Sequence, residues 1–472
     1  MIIRSYAYAG LLLPLVTFSH SVSAKTPGRY DAIHSGTPWI DQRGLPVSAH
    51  GGGITKDGDT YYLFGEAHRD MTNAFAGFNC YSSKDLANWR FESVALPVQQ
   101  SGALGPNTVG ERPKVMRSPT TGEFVMFMHA DAIDYRGQFV GYATAKNITG
   151  PYAFQGPLLF NGKPIAKWDM GAFRDEDGTG YVLLHGGDIY RLADDYRSVR
   201  EHINKAMAHG FESPALFRKG KTYYFLGSNL TGWERNDNYY FTATSLNGPW
   251  TRQGTIAPEG TLTWNSQTTF VLPIADGKKT TYMFMGDRWS YPRQASAATY
   301  VWQPLIVTGT KITMPVYRDA WRLDAATGAA KPGPAISETI VATDKRVRFA
   351  GTWRQEAAIE PAHHVTDESS SSFSVTFTGT QASLISVARP DGGYAYITLR
   401  DRLGKEMMSS TVDMYSKYPV SGIKFVTPLL ARGTYTISAS VVGDGWYWRN
   451  KKGERSGSAG HAITFERAEV RR

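Results

Sequence analysis

The chain has 472 residues and a formal net charge of +9, and aromatic residues make up 13% of it. This length predicts two or more domains, and the aromatic content, together with only 20% charged residues, argues against a disordered protein. A single cysteine, Cys80, excludes an internal disulfide framework and a cysteine-based zinc cluster, and we expect it to be a small buried residue.

The N-terminus has the pattern of a secretory signal peptide over residues 1–24. Arg4 supplies a positive charge, residues 6–18 form a short and mostly apolar run, and Val22-Ser23-Ala24 is a small-residue cleavage site. We therefore expect the mature chain to begin near Lys25 and the protein to be secreted or periplasmic. No later stretch is apolar for the roughly 18 residues that a membrane helix needs, so no membrane span is expected.

Between residues 25 and 323, a run of aromatic and aliphatic residues occurs five times, each time near a glycine-containing turn. Another predicted strand, starting near a tyrosine, follows each run. Repeated hairpins of this kind predict one four-stranded antiparallel sheet per unit, and five units predict a five-bladed β-propeller. An ordinary β-sandwich with coincidentally similar strands is the alternative. The runs begin at Tyr61, Phe124, Tyr181, Tyr223 and Tyr282.

A polar residue opens a further strand upstream of each run, at a similar distance each time. Because the first strand of each propeller unit lines the central axis, this equal phase predicts a ring of polar side chains at one end of the channel. Such a ring is costly for packing alone, since buried charges need partners. The alternative is that each residue only caps its strand. The five residues are His50, Glu111, Asp169, Glu212 and Gln267.

Several carboxyl groups around one pocket favour glycoside hydrolysis. In that reaction one carboxyl group protonates the leaving oxygen, and a base on the opposite face of the sugar activates a water molecule. Trp168, Trp233 and Trp264 stand close to the polar residues in the sequence and fit a role in stacking on sugar rings. Core packing explains any single one of these tryptophans equally well.

The order and phase of these segments resemble glycoside hydrolase family 43, and most of all its exo-β-1,3-galactanase subfamily. The resemblance covers about residues 45–323. It implies an inverting exo-hydrolase that releases galactose from the β-1,3-galactan backbone of type II arabinogalactan. The segments that carry it include Ala49-His50-Gly51-Gly52-Gly53-Ile54, Glu111-Arg112-Pro113-Lys114-Val115, Glu212-Ser213-Pro214-Ala215-Leu216, Ser266-Gln267-Thr268-Thr269-Phe270 and Met285-Gly286-Asp287-Arg288-Trp289.

The resemblance also implies roles for individual residues. Glu212 matches the general acid, and Glu111 matches the glutamate that the second unit contributes to the site. Gln267 matches an unusual glutamine that stands where a base would act on water. Asp169 resembles the aspartate that binds the sugar and tunes the acid. The substrate-binding residues implied in this way are Asp169, Glu66, His50, Trp233 and Asp287.

The chain departs from the family pattern at the start of the first unit. Most members have an aspartate base there, whereas this chain reads Ala49-His50-Gly51, which argues against xylosidase and arabinofuranosidase activity. The base stays open between Glu111, the conventional carboxylate, and Gln267, which would have to act as an imidic acid or position the water. The arginine expected just before Asp169 is also missing.

The C-terminal part of the chain predicts a second domain. Residues 324–335 are rich in Ala, Gly and Pro and predict a linker. Short alternating strands over residues 336–472 predict a β-sandwich accessory module, of the jelly-roll, galactose-binding-like type. Within it, Gly445-Trp446-Tyr447-Trp448-Arg449 is either a sugar-binding platform or part of an interface with the propeller.

The sequence as a whole favours a secreted exo-β-1,3-galactanase. Two alternatives stay open: another exo-glycosidase of the family (an arabinofuranosidase, a xylosidase or a β-galactosidase), or a non-catalytic carbohydrate-binding propeller. The expected partner is a polysaccharide or oligosaccharide. Nucleic acid is not expected, since no run of five like charges and no nucleic-acid motif occurs. We expect no cofactor and no catalytic metal, leave a structural calcium ion open, and expect a monomer.

Overall fold

The computed structural model describes residues 29–276, 279–324, 327–357, 361–450 and 452–472. The predicted signal peptide and the mature start at Lys25 lie outside the described residues. Within them the fold is all-β, and the helical elements are three short turns, His185–Gly187, Leu262–Asn265 and Gln294–Ala297. In the described ranges, no helix is long and apolar enough to cross a membrane.

Five four-stranded antiparallel sheets follow one another along the chain, and in each the strands pair in sequence order. We number them sheets 1 to 5. The predicted runs and the strands after them are the second and third strands of these sheets. The strands are His50–Asp57, Thr60–Glu66, Phe78–Ser83 and Arg90–Leu96 in sheet 1; Thr108–Arg117, Phe124–Ala132, Phe139–Ala145 and Ala153–Pro157 in sheet 2; Met170–Arg174, Gly180–Leu184, Asp188–Leu192 and Val199–Asn204 in sheet 3; Glu212–Lys219, Thr222–Ser228, Tyr239–Ala243 and Thr251–Thr255 in sheet 4; and Gln267–Asp276, Lys279–Arg288, Thr299–Thr308 and Lys311–Thr313 in sheet 5.

Each sheet packs its two faces against its two neighbours, and sheet 5 packs against sheet 1. The second strand of sheet 4 illustrates the reason for the continuous apolar runs. Tyr223 and Phe225 pack against sheet 3, whereas Tyr224 and Leu226 pack against sheet 5. Because successive side chains of a strand point to opposite faces, a strand that is buried on both faces must be apolar throughout. The closed ring of sheets is the arrangement of a β-propeller.

Cys80 lies in the third strand of sheet 1 and packs in the core between sheets 1 and 2. Its thiol is free and buried, which confirms the prediction of a small core residue.

A small three-stranded sheet joins the N-terminal segment to the end of sheet 5. In it Ile33–His34 pairs with Ala320–Leu323, which pairs in turn with Ala330–Pro332. The last of these strands lies within the predicted linker, so part of that segment is tied to the propeller by strand pairing. A separate two-stranded ribbon, Leu159–Phe160 with Lys163–Pro164, lies between sheets 2 and 3 in the chain.

The C-terminal region forms two main antiparallel sheets that enclose one apolar core, as expected for a β-sandwich. Phe373, Ile397 and Ile437 from one sheet meet Leu384, Phe425 and Val470 from the other. The four-stranded sheet is Glu338–Val341, Arg467–Arg471, Gln381–Ala388 and Val420–Val426; the five-stranded sheet is Val347–Ala350, Ser372–Gly379, Gly433–Val441, Tyr394–Asp401 and Glu406–Asp413; smaller sheets are Arg354–Glu356 with His363–Thr366 and Ile463–Phe465, and Tyr447–Arg449 with Arg455–Gly457.

Aromatic side chains form a buried interface between the propeller and the sandwich. Trp446 is fully buried and stacks on Tyr415, with ring centroids 5.1 Å apart. Its indole N–H donates to the Trp289 carbonyl at 3.0 Å, and the Tyr415 hydroxyl donates to Glu234 at 2.9 Å. Of the two roles expected for the Trp446 segment, this residue therefore takes the structural one.

Candidate active site

A cavity of about 390 Å³ opens where the first strands of the five sheets begin. Six of the eight site residues expected from the sequence line it: Glu66, Glu111, Asp169, Glu212, Trp233 and Gln267. The remaining lining residues are Asn73, Arg112, His129, Asp131, Tyr135, Trp168, Gly232, Trp289, Trp448, Arg449 and Asn450. The equal phase of the polar residues thus brings most of them to one pocket.

His50 and Asp287 are the two expected site residues that the structure does not bring to the pocket wall. Both are buried, and His50 Nδ1 lies 3.1 Å from Asp287 Oδ1. The His50 ring also stacks on Tyr300, with centroids 4.2 Å apart. Because these contacts occupy both side chains beneath the pocket, we assign them a supporting position instead of the predicted contact with sugar.

Trp264, which lies near Gln267 in the sequence, also stands away from the cavity lining. Its indole N–H donates to the Met314 carbonyl at 2.9 Å, and its ring packs against the core between sheets 4 and 5. For this tryptophan the packing alternative is the correct one.

A β-bulge aims the site residues of sheets 2 and 4 at the cavity. The strand register shifts directly after Glu111 and directly after Glu212. The residues that follow them, Arg112 and Ser213, have φ angles of 53° and 57°. A bulge places an extra residue in one strand and redirects the neighbouring side chain. This local backbone therefore explains why two glutamates at strand starts point into the pocket.

Carboxylates tie each of these bulges to the preceding sheet. The Arg112 N–H donates to Glu66 Oε1 at 2.9 Å, and the Ser213 N–H donates to Asp169 Oδ2 at 2.8 Å. In the same way, the N–H of Gly51 donates to Asp287 Oδ2 at 3.0 Å. We call Glu66, Asp169 and Asp287 the staple carboxylates. Each satisfies a backbone donor that burial would otherwise leave unpaired.

Glu212 has the surroundings of a proton donor. Burial, followed by the negative charge of Asp169, raises the pKa of its carboxyl group well above the ordinary value. Its Oε1 accepts a hydrogen bond from the Gln267 amide at 3.1 Å. A carboxyl group whose protonated form is favoured in this way is suited to protonate a leaving oxygen.

Gln267 uses its whole hydrogen-bonding capacity within the protein. Its amide nitrogen donates to Glu212 and, at 3.0 Å, to Ser228 Oγ. Its amide oxygen accepts from Arg112 Nη2 and from Trp289 Nε1, both at 2.8 Å. A glutamine side chain has two donors and two acceptor sites, so none is left to take a proton from water. The geometry favours a positioning role for Gln267.

Glu111 is surrounded by hydrogen-bond donors at the opposite end of the cluster. Its Oε1 accepts from the Tyr135 hydroxyl at 2.7 Å, and its Oε2 lies 3.0 Å from His129 Nδ1. The other nitrogen of His129 lies 3.2 Å from Asp131 Oδ2. Because a carboxylate offers about four lone-pair sites, Glu111 can still accept a hydrogen bond from a water molecule.

His129 is a cation in this arrangement. Burial alone would lower its pKa, but the hydrogen bonds to Asp131 and Glu111 outweigh burial and raise the pKa to about 9. The imidazolium therefore donates to both carboxylates at neutral pH and fixes the orientation of Glu111.

Arg112 connects Asp169, Ser213 and Gln267, although no role was predicted for it from the sequence. Its Nε lies 3.2 Å from Asp169 Oδ1, and its Nη2 donates to Ser213 Oγ at 2.7 Å. Burial opposes its charge, but the neighbouring carboxylates, with Asp169 first, raise the pKa of Arg112. An arginine of sheet 2 thus pairs with Asp169, whereas the arginine expected directly before Asp169 in the chain is missing.

Four further residues of the site were not predicted from the sequence: His129, Asp131, Tyr135 and Trp289. A signal existed for two of them. His129 and Asp131 stand two residues apart in the otherwise apolar strand Phe124–Ala132, so they share one face of the strand. Trp289 stood in a segment that was noted, but its contact with Gln267 depends on the three-dimensional fold.

The polar residues of the cavity could also bind a metal ion. Glu111, His129 and Asp169 offer ligand atoms that lie within 4.8 Å of one another. The His129 ring, however, has both nitrogens against carboxylates and a pKa of about 9, so a proton competes strongly for the same site. The described contacts fit a hydrogen-bond network built around a protonated histidine.

Comparisons with known proteins identify the family of the chain. The family model for glycosyl hydrolases family 43 matches residues 45–232. An exo-β-1,3-galactanase from Phanerochaete chrysosporium superimposes with a TM-score of 0.71 at 26% identity, over 93% of this chain and 100% of that chain. A Bifidobacterium bifidum protein named as an exo-β-1,3-galactanase is 38% identical, with a TM-score of 0.56, over 60% of this chain and 95% of that chain. A search of curated protein sequences gave no match.

A β-1,3-galactosidase of family 43 is 31% identical, with a TM-score of 0.57, over 62% of this chain and 64% of that chain. The family is one of β-propellers, in agreement with the closed ring of sheets. The chain therefore belongs to glycoside hydrolase family 43, and it is a glycosidase that acts on a carbohydrate substrate.

Proposed function

We propose that this glycosidase is an inverting exo-β-1,3-galactanase that releases galactose from β-1,3-galactan. The names of the similar proteins support the substrate, because two of them are exo-β-1,3-galactanases and a third is a β-1,3-galactosidase. The observation that carries the proposal is the buried Glu212 carboxyl group, whose raised pKa and whose position in the cavity suit a general acid.

In the proposed mechanism, Glu212 gives its proton to the glycosidic oxygen as the bond from C1 to that oxygen breaks. Glu111 takes a proton from a water molecule whose oxygen forms the new bond to C1 on the opposite face of the ring. Attack from that face converts the β-glycoside into α-galactose. His129 and Tyr135 hold Glu111 in place by the hydrogen bonds described above. Glu212 then regains a proton from solvent, and Glu111 loses one.

Gln267 and Arg112 position this machinery. The Gln267 amide fixes the orientation of the Glu212 carboxyl group, while Arg112 holds both the Gln267 oxygen and Asp169. Asp169 contributes the negative charge that helps to keep Glu212 protonated. On this proposal Glu111 is the base, and Gln267 serves as a positioning residue.

We further propose a division of the chain into functional parts. Each of the five sheets is one blade of a five-bladed catalytic propeller over residues 25–323, residues 324–335 connect it to the sandwich, and residues 336–472 form an accessory module. The pattern in residues 1–24 supports secretion or a periplasmic location.

Proton NMR of the products from β-1,3-galactan tests the proposed function. We expect galactose as the first product, initially as the α-anomer, with no oligosaccharide intermediates, and no product from Glu212→Gln under the same conditions. Galactose that appears first as the β-anomer would contradict inversion. If the enzyme releases arabinose or xylose from aryl glycosides but no galactose from galactan, its substrate is a different sugar. If it hydrolyses neither galactan nor any aryl glycoside, the result favours a carbohydrate-binding protein without activity.

A further inference from the structure

The C-terminal module contributes a wall to the catalytic cavity. A hairpin of this module pairs Tyr447–Arg449 with Arg455–Gly457. Trp448, Arg449 and Asn450 of that hairpin line the same cavity as Glu212 and Gln267. The catalytic pocket is therefore built from both parts of the chain.

The base of the hairpin is fixed to the propeller. Beside the hydrogen bond from Trp446 to Trp289, the Tyr447 N–H donates to the Tyr291 carbonyl at 2.9 Å. The buried Arg235 guanidinium lies 4.7 Å from the centre of the Trp446 ring. These contacts hold the adjacent Trp448 at a defined place in the cavity wall.

Trp448 packs so closely on the loop after the second strand of sheet 4 that the loop residue in contact with its ring has no room for a side chain. Gly232 in that loop has a φ of 60°, and a Cβ atom there would lie 2.5 Å from the Trp448 ring. Trp233 and Trp448 both pack against the cluster that contains Tyr415 and Trp446. Within the residues that the structure describes, the Trp448 indole N–H makes no hydrogen bond. A ring at the edge of a sugar pocket suits stacking on a sugar face.

The position of Trp448 relative to the proposed acid indicates which part of the substrate it meets. Glu212 pairs across the strands with Ser228, and the loop that contains Gly232 follows Ser228 directly. Trp448 thus covers the side of the pocket on which Glu212 stands. The general acid protonates the leaving oxygen, so the leaving part of the substrate lies on that side.

We propose that Trp448 is a specificity-determining residue that binds the galactosyl unit on the leaving side of the cleaved bond. Arg449 and Asn450 extend this contact toward the mouth of the pocket. The inference rests on the proposed function of the same site. It gives the C-terminal module a part in substrate selection at the catalytic centre, in place of a separate sugar-binding surface.

The test compares two substrates in wild type, Trp448→Ala and Trp448→Phe. β-1,3-Galactotriose places sugar on the leaving side, whereas β-galactosyl fluoride places only fluoride there. For Trp448→Ala we expect kcat/KM on the trisaccharide to fall at least about tenfold, mainly through KM, as for a buried aromatic at a binding site. The loss on the fluoride should stay below about threefold, and Trp448→Phe should recover part of the trisaccharide activity.

Tyr396→Ala is the matched control, because Tyr396 is an exposed aromatic residue of the same module outside the cavity lining. It should leave both activities unchanged. Equal losses of kcat/KM on both substrates in Trp448→Phe would overturn this inference, and so would an unchanged kcat/KM on the trisaccharide in Trp448→Ala. Either result would leave the proposed function intact. If the wild type hydrolyses the fluoride but releases no galactose from the trisaccharide, the proposed function fails, and this inference fails with it.

Discussion

Glu212 and Glu111 face the same cavity from sheets 4 and 2, and their surroundings are opposite. Glu212 is buried beside the negative charge of Asp169 and receives one amide hydrogen bond from Gln267. Glu111 stands at the partly exposed end and receives hydrogen bonds from a cationic histidine and a tyrosine. Both glutamates sit at the same bulge of equivalent strands, so the backbone does not distinguish them.

The difference shows that the division between acid and base is set by the neighbours from other strands. Asp169 comes from the start of sheet 3, and His129 comes from the second strand of sheet 2. Two identical side chains in repeated positions thus acquire different chemistry through contacts that the repeat does not contain. The following experiments either remove this difference or measure it.

Glu212→Gln should have the largest effect, because it removes the proton donor and keeps the shape of the side chain. We expect kcat on β-1,3-galactotriose to fall by roughly 10³-fold, within the range for loss of a general acid, while trisaccharide binding persists. Steady-state kinetics and calorimetric titration measure the two effects. Glu259→Gln, at an exposed site, is the control. Retained turnover in Glu212→Gln would remove this residue from the acid role.

Glu111→Ala should lower kcat by roughly 10²-fold or more, because water loses its proton acceptor. Added azide needs no base and fits the space left by the carboxylate, so it should restore turnover and give α-galactosyl azide. Product analysis by mass spectrometry and NMR measures this. Gln267→Ala provides the comparison: azide rescue in that variant alone would transfer the base role from Glu111 to Gln267.

His129→Gln tests the cation that holds Glu111. The folded-state pKa of about 9 lies above the ordinary value of 6.5, so the ion pairs stabilise the fold fully below pH 6.5. This contribution is lost as the pH rises through 9. Wild type should therefore exceed His129→Gln in unfolding free energy by on the order of 2 kcal/mol at pH 6 and by much less at pH 9.5. Denaturant titrations at both values measure it, and a constant difference would contradict a protonated His129.

Asp169→Asn should give the smallest change, a shift of the pH profile. Activity requires protonated Glu212 and falls as the pH rises through its pKa. Removing the negative charge of Asp169 lowers that pKa, so the alkaline limb of kcat should move to lower pH. The control is Asp175→Asn, at a buried aspartate that follows the first strand of sheet 3 and pairs with Arg218 of sheet 4; it should leave the limb in place. An alkaline limb that does not move would show that burial alone sets the Glu212 pKa.

The repeated strands could be predicted because their cause is local. A strand buried on both faces must be apolar throughout, and the runs that begin at Tyr61 and Tyr223 show this directly in the sequence. The approximate phase of the polar residues likewise places Glu111, Glu212 and Gln267 at equivalent strand starts. The same phase places His50 at the start of its strand, but its side chain does not line the cavity, because it pairs with Asp287 where sheet 5 contacts sheet 1.

Contacts between distant segments explain the rest of what was missed. Arg112 reaches Asp169 and Gln267 across the axis, and no spacing in the sequence shows that three sheets converge there. Trp448 is a clearer case, since it belongs to another domain and reaches the pocket only because Trp446 is anchored on Trp289. Site residues at regular positions of the repeated strands can therefore be predicted from the sequence. Site residues that reach the pocket through contacts between sheets or domains are harder to predict.

Two of the staple carboxylates both hold neighbouring sheets together and face the cavity in which substrate would bind. Glu66 and Asp169 both join neighbouring sheets through their carboxylate oxygens, and both still line the cavity. A descendant of this protein that had lost turnover would still be stabilised by both residues. Their presence in a homologue is therefore weak evidence of catalysis, and inactive members of such a lineage should be sought among sequences that have exchanged Glu212 or Glu111 while keeping Glu66 and Asp169.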